Sequence, residues 1–257
     1  MLDPDELIAV GTYEQPYQQE KDYLEELFLG KAFNCCSGLA FKGGTSLSKF
    51  YGSVRFSDDL DFSLNSPKAE NIGTKIDSMI NKLSAEMPIK LMRKLNTPDA
   101  LKYELSIRGP LFARMNRYQH LKLEIGMRES IIEPTNIFRR NPIYRDLEPY
   151  IAIVMNEKEI LAEKIVALLF RQNLKARDLY DIYFLLRKGV EIRVGLIDVK
   201  MKEYGHAFTK ERFYKRLGGI SRVWDKELER LLPKKEFINY KEATALVVKQ
   251  FTNAALL

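Results

Sequence analysis

The pattern of apolar and polar positions changes along the chain, from strands mixed with helices to helices alone. A short apolar run at 38–42 and mostly alternating apolar residues at 59–64, 88–95, 101–108 and 120–127 predict five strands. Apolar residues at helical spacing predict helices at 17–33, 70–85, 156–171, 176–188, 208–216, 222–231 and 240–251. Pro134, Pro142 and Pro149 indicate loops between the two regions. The pattern therefore predicts an α+β domain over residues 1–135 and a mostly helical domain over residues 136–257.

The composition is that of a folded globular protein. The 257 residues are 46% hydrophobic and 30% charged, which excludes a disordered chain, a collagen and a small scaffold that depends on disulfides. No stretch approaches the roughly 18 uncharged residues of a membrane helix, and the acidic start of the chain differs from a basic secretory signal. Cys35 and Cys36 are adjacent, so we expect two reduced thiols and a cytoplasmic protein.

Positive charge is concentrated in the second half of the chain. Residues 1–135 have 17 basic and 19 acidic side chains, whereas residues 136–257 have 24 basic and 16 acidic ones. The second half is therefore suited to a polyanion such as RNA, DNA or a nucleotide. A solvated helical surface rich in lysine is an equally good interpretation, because acidic residues are interleaved with the basic ones.

A glycine turn follows the first predicted strand. Gly43, Gly44, Thr45 and Ser46 stand between this strand and a short predicted helix. Glycines allow a phosphate to approach the main chain, and the first turn of a helix offers unpaired N–H groups. Lys49, one turn into the helix, is placed to reach the same anion. The spacing is not that of a Walker loop, and an ordinary turn capped by Thr45 is the simpler interpretation of the turn alone.

The next predicted strand has two aspartates on one side. In residues 59–64, Asp59 and Asp61 alternate with apolar residues, so their carboxylates point to one face, roughly 7 Å apart. Like charges so placed repel each other, and strands disfavour aspartate, so we expect a compensating cation. Carboxylate oxygens suit Mg²⁺ or Mn²⁺, with substrate phosphates as further ligands. A polar strand edge is the alternative interpretation.

The roles of two further residues depend on which residues lie next to them in the fold. Glu124 lies on the polar face of the strand at 120–127. It joins the aspartates only if the two strands are neighbours with the same face up, and is otherwise an ordinary solvent-facing residue. Lys164 has apolar residues three and four positions away on both sides. It therefore either extends to solvent or meets an anion in a cleft.

The helix predicted at 176–188 begins with a group of charges. Asp178 and Asp181 lie on one helical face, and Arg177 stands four residues before Asp181. A surface helix with weak ion pairs is one interpretation. The apolar residues that follow leave little room for solvent, which favours a partly buried network.

Taken together, these segments resemble the AbiEii/AbiGii family of nucleotidyltransferase toxins, within the DNA polymerase β-like superfamily. The resemblance covers about residues 37–188 and consists of four motifs in order. Gly44–Lys49 is similar to the first motif, with threonine in place of serine, and Arg55–Asp61 is similar to the second. Lys164 resembles the lysine of the third motif, without the second lysine that is frequent there, and Arg177–Asp181 is similar to the fourth.

The resemblance implies a polymerase β-like mixed sheet with flanking helices, followed by a helical domain that completes the active-site cleft. It implies a Mg²⁺-dependent enzyme, with Mn²⁺ as an alternative metal, that transfers a nucleoside monophosphate from an NTP to RNA. The expected acceptor is tRNA. A toxin–antitoxin system is also implied, with a cognate antitoxin as partner. A protein-directed transferase and a catalytically silent nucleic-acid-binding member are the alternatives.

The resemblance also implies roles for individual residues. Asp59 and Asp61 hold the metal, and Glu124 is either a further metal ligand or the acceptor of the hydroxyl proton. Lys164 and Asp181 complete the catalytic set. The residues expected at the nucleotide are Gly43, Gly44, Thr45, Ser46, Lys49, Ser57, Lys164, Arg177 and Asp178.

Overall fold

The computed structural model describes residues 1–65, 71–128 and 130–257. Packing divides the chain into two units. The first unit comprises Met1–Thr45, Asp58–Ile131 and Thr135–Val154, and the second comprises Ser46–Ser57, Ile132–Pro134 and Met155–Leu257. The predicted domain boundary at residue 135 stays a prediction.

The first unit is built on a mixed sheet. Its strands in the described ranges are β1 (Leu39–Lys42), β2 (Asp59–Leu64), β3 (Ile89–Asn96), β4 (Ala100–Ile107), β5 (Gln119–Gly126), β6 (Asn136–Arg140) and β7 (Tyr150–Val154). Their order across the sheet is β3-β4-β5-β2-β1-β7-β6. β2 lies parallel to β5 and β1 lies parallel to β7, while the other neighbours are antiparallel. The predicted α+β class with a mixed sheet and flanking helices is confirmed.

Helices follow or precede most of these strands. Those that begin in the first unit are α1 (Pro4–Ala9), α2 (Pro16–Cys35), α3 (Gly43–Phe50), α4 (Ile72–Glu86) and α5 (Phe112–Met115). The second unit contains α6 (Glu157–Phe170), α7 (Ala176–Arg187), α8 (Val194–Lys202), α9 (Lys210–Ile220), α10 (Trp224–Leu228) and α11 (Tyr240–Asn253). None of the helices in the described ranges combines the length and the hydrophobicity that a bilayer crossing requires.

The alternating pattern explains the central strands. All five strands predicted between residues 38 and 127 are present, with bounds that differ by at most one residue from the predicted ones. In β2, Leu60 and Phe62 are fully buried, while Asp59 and Asp61 are partly exposed. One face of the strand therefore contributes to the core, and the two aspartates lie on the opposite face. The predicted helix at 70–85 is α4; its predicted first residue, Glu70, lies outside the described residues.

Strands β6 and β7 were not predicted. The prolines on either side of β6 indicate loops, and its five residues alternate only between half-buried and exposed, so its sequence lacks a strong apolar face. β7 alternates between buried and more exposed residues, but it has only five residues and directly follows Pro149. β6 pairs with β7, and β7 pairs with β1. The strand conformation of these residues therefore depends on this pairing and is not indicated by the local sequence.

Helix α2 is more buried than a simple amphipathic helix. Residues 19–26 are all buried, although most of them are polar or charged. Asp22 accepts a hydrogen bond of 2.6 Å from the hydroxyl of Tyr144, and Glu26 forms an ion pair of 2.8 Å with Arg140. Such pairing compensates for the loss of water around buried charges, and it fixes α2 in the first unit.

Candidate functional site

Strand β2 presents Asp59 and Asp61 on the polar face of the sheet. In the parallel pairing of β2 with β5, Asp61 lies opposite Glu124. Paired residues of neighbouring strands point to the same face, and the strands are about 5 Å apart. The three acidic residues that the sequence analysis singled out therefore share one face of the first unit.

The glycine turn contacts this acidic face. Lys42, the residue before Gly43, is the register partner of Asp61 in the antiparallel pairing of β1 and β2. Gly43 has a φ of +77°, and a Cβ atom at this position would lie 2.6 Å from Oδ2 of Asp61. Only glycine combines this backbone conformation with the space that the carboxylate occupies. The main chain of the turn therefore packs directly against a predicted metal ligand.

A hydrogen bond also connects the turn to the strand. The hydroxyl of Thr45 donates to the main-chain carbonyl of Asp59 over 2.6 Å, and Thr45 is buried. A hydroxyl bound in this way cannot be replaced by an apolar group without leaving the carbonyl short of a partner. The first turn of α3 and the start of β2 are therefore held in one arrangement.

Glu124 takes part in an ion pair within the sheet. Its Oε1 atom lies 2.8 Å from Nζ of Lys102 on β4, and the two side chains are 42% and 44% exposed. An exposed pair of this kind contributes about 0–1 kcal/mol. Within the described ranges, no three His, Cys, Asp or Glu side chains are arranged to hold a metal ion. The role of Glu124 as metal ligand or proton acceptor stays a prediction.

A buried lysine that the sequence analysis did not single out lies in the electrostatic field of Asp59. Lys21 on α2 is 3% exposed and donates a hydrogen bond to the main-chain carbonyl of His120. Burial lowers the pKa of Lys21 below its ordinary value, and the charges of Glu25, Asp58 and Asp59 oppose this shift. Lys21 therefore lies close to the acidic residues at the start of β2.

A second group of predicted residues forms a buried ion network inside the second unit. Asp181 accepts two hydrogen bonds from the guanidinium of Arg55, at 2.8 and 3.0 Å. Nζ of Lys164 lies 2.7 Å from Oδ2 of Asp181 and 3.3 Å from Oδ1 of Asp178. Asp178 in turn pairs with Arg171 at 3.0 Å. The structure thus brings Lys164, Asp178 and Asp181 together in one network, while their roles at a nucleotide stay predictions.

The charges in this network stabilise one another. Burial by itself would raise the pKa of Asp181, but Arg55 and Lys164 bring it below its ordinary value of 3.8. Burial acts to lower the pKa of Arg55, and the charge of Asp181 reverses that effect. Asp181 and Arg55 are 0% and 2% exposed, so each buried charge depends on an oppositely charged partner. Lys164, at 12% exposure, is held by carboxylates and does not extend into solvent.

The remaining predicted residues occupy α3, α7 and the loop before β2. Gly44, Ser46 and Lys49 are buried on α3, Ser57 is half-buried just before β2, and Arg177 is half-buried on α7. Their predicted contacts with a nucleotide stay predictions. The sequence analysis names Arg55 only as the first residue of the second motif and assigns it no role. Its place in the ion network depends on the fold.

The chain matches one protein family over most of its length. The sequence profile of the family described as Nucleotidyl transferase AbiEii toxin, Type IV TA system, matches residues 28–243. The matched range contains the glycine turn, the two aspartates of β2 and the ion network. No curated protein matches the chain in sequence.

Solved structures that are similar to the chain include the following three. MenT4, a nucleotidyltransferase toxin from Mycobacterium tuberculosis, is 21% identical, with a TM-score of 0.63 over 98% of this chain and 89% of that chain. A putative nucleotidyltransferase from Helicobacter pylori is 20% identical, with a TM-score of 0.51 over 90% and 92%. JHP933 from Helicobacter pylori is 18% identical, with a TM-score of 0.50 over 95% and 97%. At these identities the similarity concerns the fold.

Proposed function

Because the chain belongs to the AbiEii family of nucleotidyltransferase toxins of type IV toxin–antitoxin systems, we propose that it transfers a nucleoside monophosphate from an NTP to RNA, with tRNA as the acceptor. The observation that supports this most is the contact between the carboxylate of Asp61 and the main chain at Gly43. A metal-binding acid next to a phosphate-binding turn is the arrangement that nucleotide chemistry requires.

A divalent cation fits the acidic face of β2. Mg²⁺ usually binds through one or two carboxylates and keeps water and substrate phosphates as its other ligands, so a pair of aspartates is a sufficient protein contribution. We propose Asp59 and Asp61 as these ligands, with Mg²⁺ or Mn²⁺ as the metal. The bound metal would stabilise the negative charge that develops on the phosphates during transfer.

The phosphates of the NTP are assigned to the glycine turn. Helix α3 begins at Gly43, and the main-chain N–H groups in the first turn of a helix attract an anion. Thr45 fixes this turn to β2, which keeps the phosphate groups close to the aspartates. The other residues proposed at the nucleotide are Ser46, Lys49, Ser57, Lys164, Arg177 and Asp178.

The proposed reaction is the attack of an acceptor hydroxyl on the α-phosphorus of the NTP. A new oxygen–phosphorus bond forms as the bond to the β-phosphate oxygen breaks, and pyrophosphate leaves. The hydroxyl proton passes to a base, for which Glu124 is the candidate if it is not a metal ligand. Glu124 is next to Asp61 in the sheet register, which is compatible with either role.

The ion network supports a role for Lys164 as a source of positive charge. Arg55, Lys164 and Arg171 contribute three positive charges against the two carboxylates of Asp178 and Asp181. The network thus has one positive charge in excess, which favours a nearby anion. We propose that Asp181, which is fully buried, acts by positioning Lys164.

The excess of positive charge in residues 136–257 supports RNA as the acceptor. The family also implies a cognate antitoxin, and we propose that the protein acts in the cytoplasm, where NTPs, tRNA and the antitoxin are present.

The test is incubation of the full chain with each NTP, labelled at the α-phosphorus, in the presence of Mg²⁺ and either tRNA or protein from a cell extract. We expect label in the RNA. Label on protein would contradict RNA as the acceptor and would show that the acceptor is a protein. No label on either substrate, with Mg²⁺ or Mn²⁺, would contradict the proposed activity.

A further inference from the structure

The two cysteines of the chain form a pair with unequal exposure at the end of α2. Cys35 is exposed and Cys36 is buried. Their sulfur atoms lie 3.0 Å apart, within hydrogen-bonding distance. A buried thiol that donates to an exposed sulfur stabilises the thiolate of the exposed residue. The geometry therefore makes Cys35 the accessible thiol and Cys36 its buried hydrogen-bond partner.

Cys35 opens into a cleft of about 430 Å³ between α2 and α4 in the first unit. The cleft is lined by three lysines, Lys31, Lys75 and Lys82, and by one carboxylate, Glu86. Lys75 and Lys82 stand seven residues apart on α4, so they project from the same helical face. The cleft thus combines a thiol with an excess of positive charge, which attracts a small anion.

The electrostatic environment acts on the two thiols in opposite directions. The hydrogen bond from Cys36 lowers the pKa of Cys35 to about 7, and the charges of Lys75 and Lys82 act in the same direction. The hydrogen bond to Cys35 and burial together raise the pKa of Cys36. Near neutral pH, a large fraction of Cys35 is therefore thiolate while Cys36 keeps its proton.

We propose that Cys35 is a thiolation site for small anionic disulfides of the glutathione class, whose carboxylates are bound by Lys31, Lys75 and Lys82. The Cys35 thiolate attacks one sulfur of the small disulfide. A new sulfur–sulfur bond forms as the old one breaks, and the other half leaves as a thiolate that takes a proton from water. Cys35 is thereby oxidised and the released half is reduced.

The adduct at Cys35 is expected to persist. Resolution by Cys36 would require a bridge between adjacent residues, whose Cα atoms are about 3.8 Å apart, closer than the usual range for disulfides. Cys36 is also buried and protonated, so it is a poor attacking group. The expected product is one mixed disulfide per chain, located at Cys35.

The test compares two disulfides of opposite charge on the full reduced chain at neutral pH and low salt, with intact mass and peptide mapping as readouts. Oxidised glutathione is the anionic probe, and cystamine is the cationic one. We expect a single adduct at Cys35 that forms roughly tenfold faster with glutathione than with cystamine, and a smaller ratio at high salt. Equal rates for the two probes, or an adduct at Cys36, would overturn the proposal.

Substitutions distinguish the contribution of the Cys35 thiol from that of the lysines in the cleft. Cys35→Ser should abolish the adduct. The double substitution Lys75→Gln/Lys82→Gln should keep the adduct but lose most of the preference for glutathione, because the anion loses two of its three cations. Lys90→Gln, an exposed lysine on β3 outside the cleft, is the matched control and should leave the preference unchanged. A double variant that retains the full preference would contradict the role of the cleft.

Discussion

Two pairs of aspartates in this chain differ in their surroundings. Asp59 and Asp61 lie partly exposed on a sheet face, next to the main chain of a glycine turn. Asp178 and Asp181 are almost fully buried and are paired with arginine and lysine. A carboxylate that is to bind a metal and a substrate has to remain accessible, whereas a buried carboxylate requires its own cations.

This difference in exposure suggests different roles: the β2 aspartates for metal binding, and Asp181 for positioning Lys164. The β2 pair lies partly exposed on the sheet face, so its removal should affect transfer more than folding. The carboxylate of Asp181 is occupied by Arg55 and Lys164, so its removal should affect folding first. Substitutions in the two pairs are expected to give opposite patterns of activity and stability.

The largest expected effect is on catalysis. Asp59→Asn should reduce nucleotidyl transfer at least about 10³-fold, because a metal ligand contributes several kcal/mol to the transition state. The free energy of unfolding should change by less than about 1 kcal/mol, since the side chain is partly exposed and Asn relieves repulsion from Asp61. Label transfer and urea unfolding measure the two quantities. A variant that still labels its target at the wild-type rate would place the metal site elsewhere.

The next effect is on stability. Asp181→Asn should lower the free energy of unfolding by about 3–5 kcal/mol, because it leaves the buried charge of Arg55 without its partner. Asp198→Asn, at an exposed acid on α8, is the matched control and should change stability by less than about 0.5 kcal/mol. Similar stability of the two variants in urea would show that the network contributes little.

The ion pair of Asp181 and Arg55 predicts that the free energy of unfolding depends on pH. The pKa of Asp181 is lower in the folded protein than in the unfolded chain. Its contribution to stability is therefore present above the unfolded pKa and is lost as the pH falls through the folded pKa. The difference in unfolding free energy between wild type and Asp181→Asn should be constant from about pH 8 to about pH 5 and should decrease on further acidification. A difference that grows on acidification would contradict the assignment.

A glycine substitution tests the contact between the turn and the acid. Gly43→Ala should cost about 1–2 kcal/mol through its positive φ and should also displace the carboxylate of Asp61. Gly52→Ala is the matched control, because Gly52 has a φ of +84° but no atom within 4 Å of the added Cβ. Gly43→Ala should lose at least as much stability as Gly52→Ala, but only Gly43→Ala should lose most of its transfer activity. Equal activities would mean that the contact at Gly43 does not matter for function.

The smallest effect is expected at the exposed ion pair of the sheet. Lys102→Gln removes the partner of Glu124 and should lower the free energy of unfolding by less than about 1 kcal/mol, since both side chains are more than 40% exposed. Urea unfolding at low and high salt measures this contribution. A loss comparable to that of Asp181→Asn would mean that exposure does not distinguish the two kinds of ion pair.

The sequence predicted those parts of the site that depend on local spacing. The alternation in residues 59–64 gave the bounds of β2 and the common face of Asp59 and Asp61 correctly. The register that places Glu124 opposite Asp61 is a property of the sheet and was stated only as a condition. Local pattern was sufficient for these elements because one face of each strand is buried.

The parts that the sequence did not predict depend on distant contacts. Arg55 and Asp181 are 126 residues apart in the chain, so no local pattern connects them. Lys21 had a weaker signal than Lys164, because Tyr17 and Leu24 flank it at helical spacing but Gln18 and Glu25 at the other two positions are polar. A charged residue within an apolar helical stripe therefore indicates burial, while its partner can be known only from the fold.

The most direct test of the account is the effect of Mg²⁺ on NTP binding. A non-hydrolysable NTP analogue is titrated into the full chain by calorimetry, with and without Mg²⁺, for wild type, Asp59→Asn/Asp61→Asn and Glu104→Gln. Glu104 is an acid on the same sheet face, two strands from β2. We predict that Mg²⁺ strengthens binding at least about tenfold in wild type and Glu104→Gln and has no effect in the double variant. A double variant in which Mg²⁺ still strengthens binding would contradict the assignment of the metal to Asp59 and Asp61.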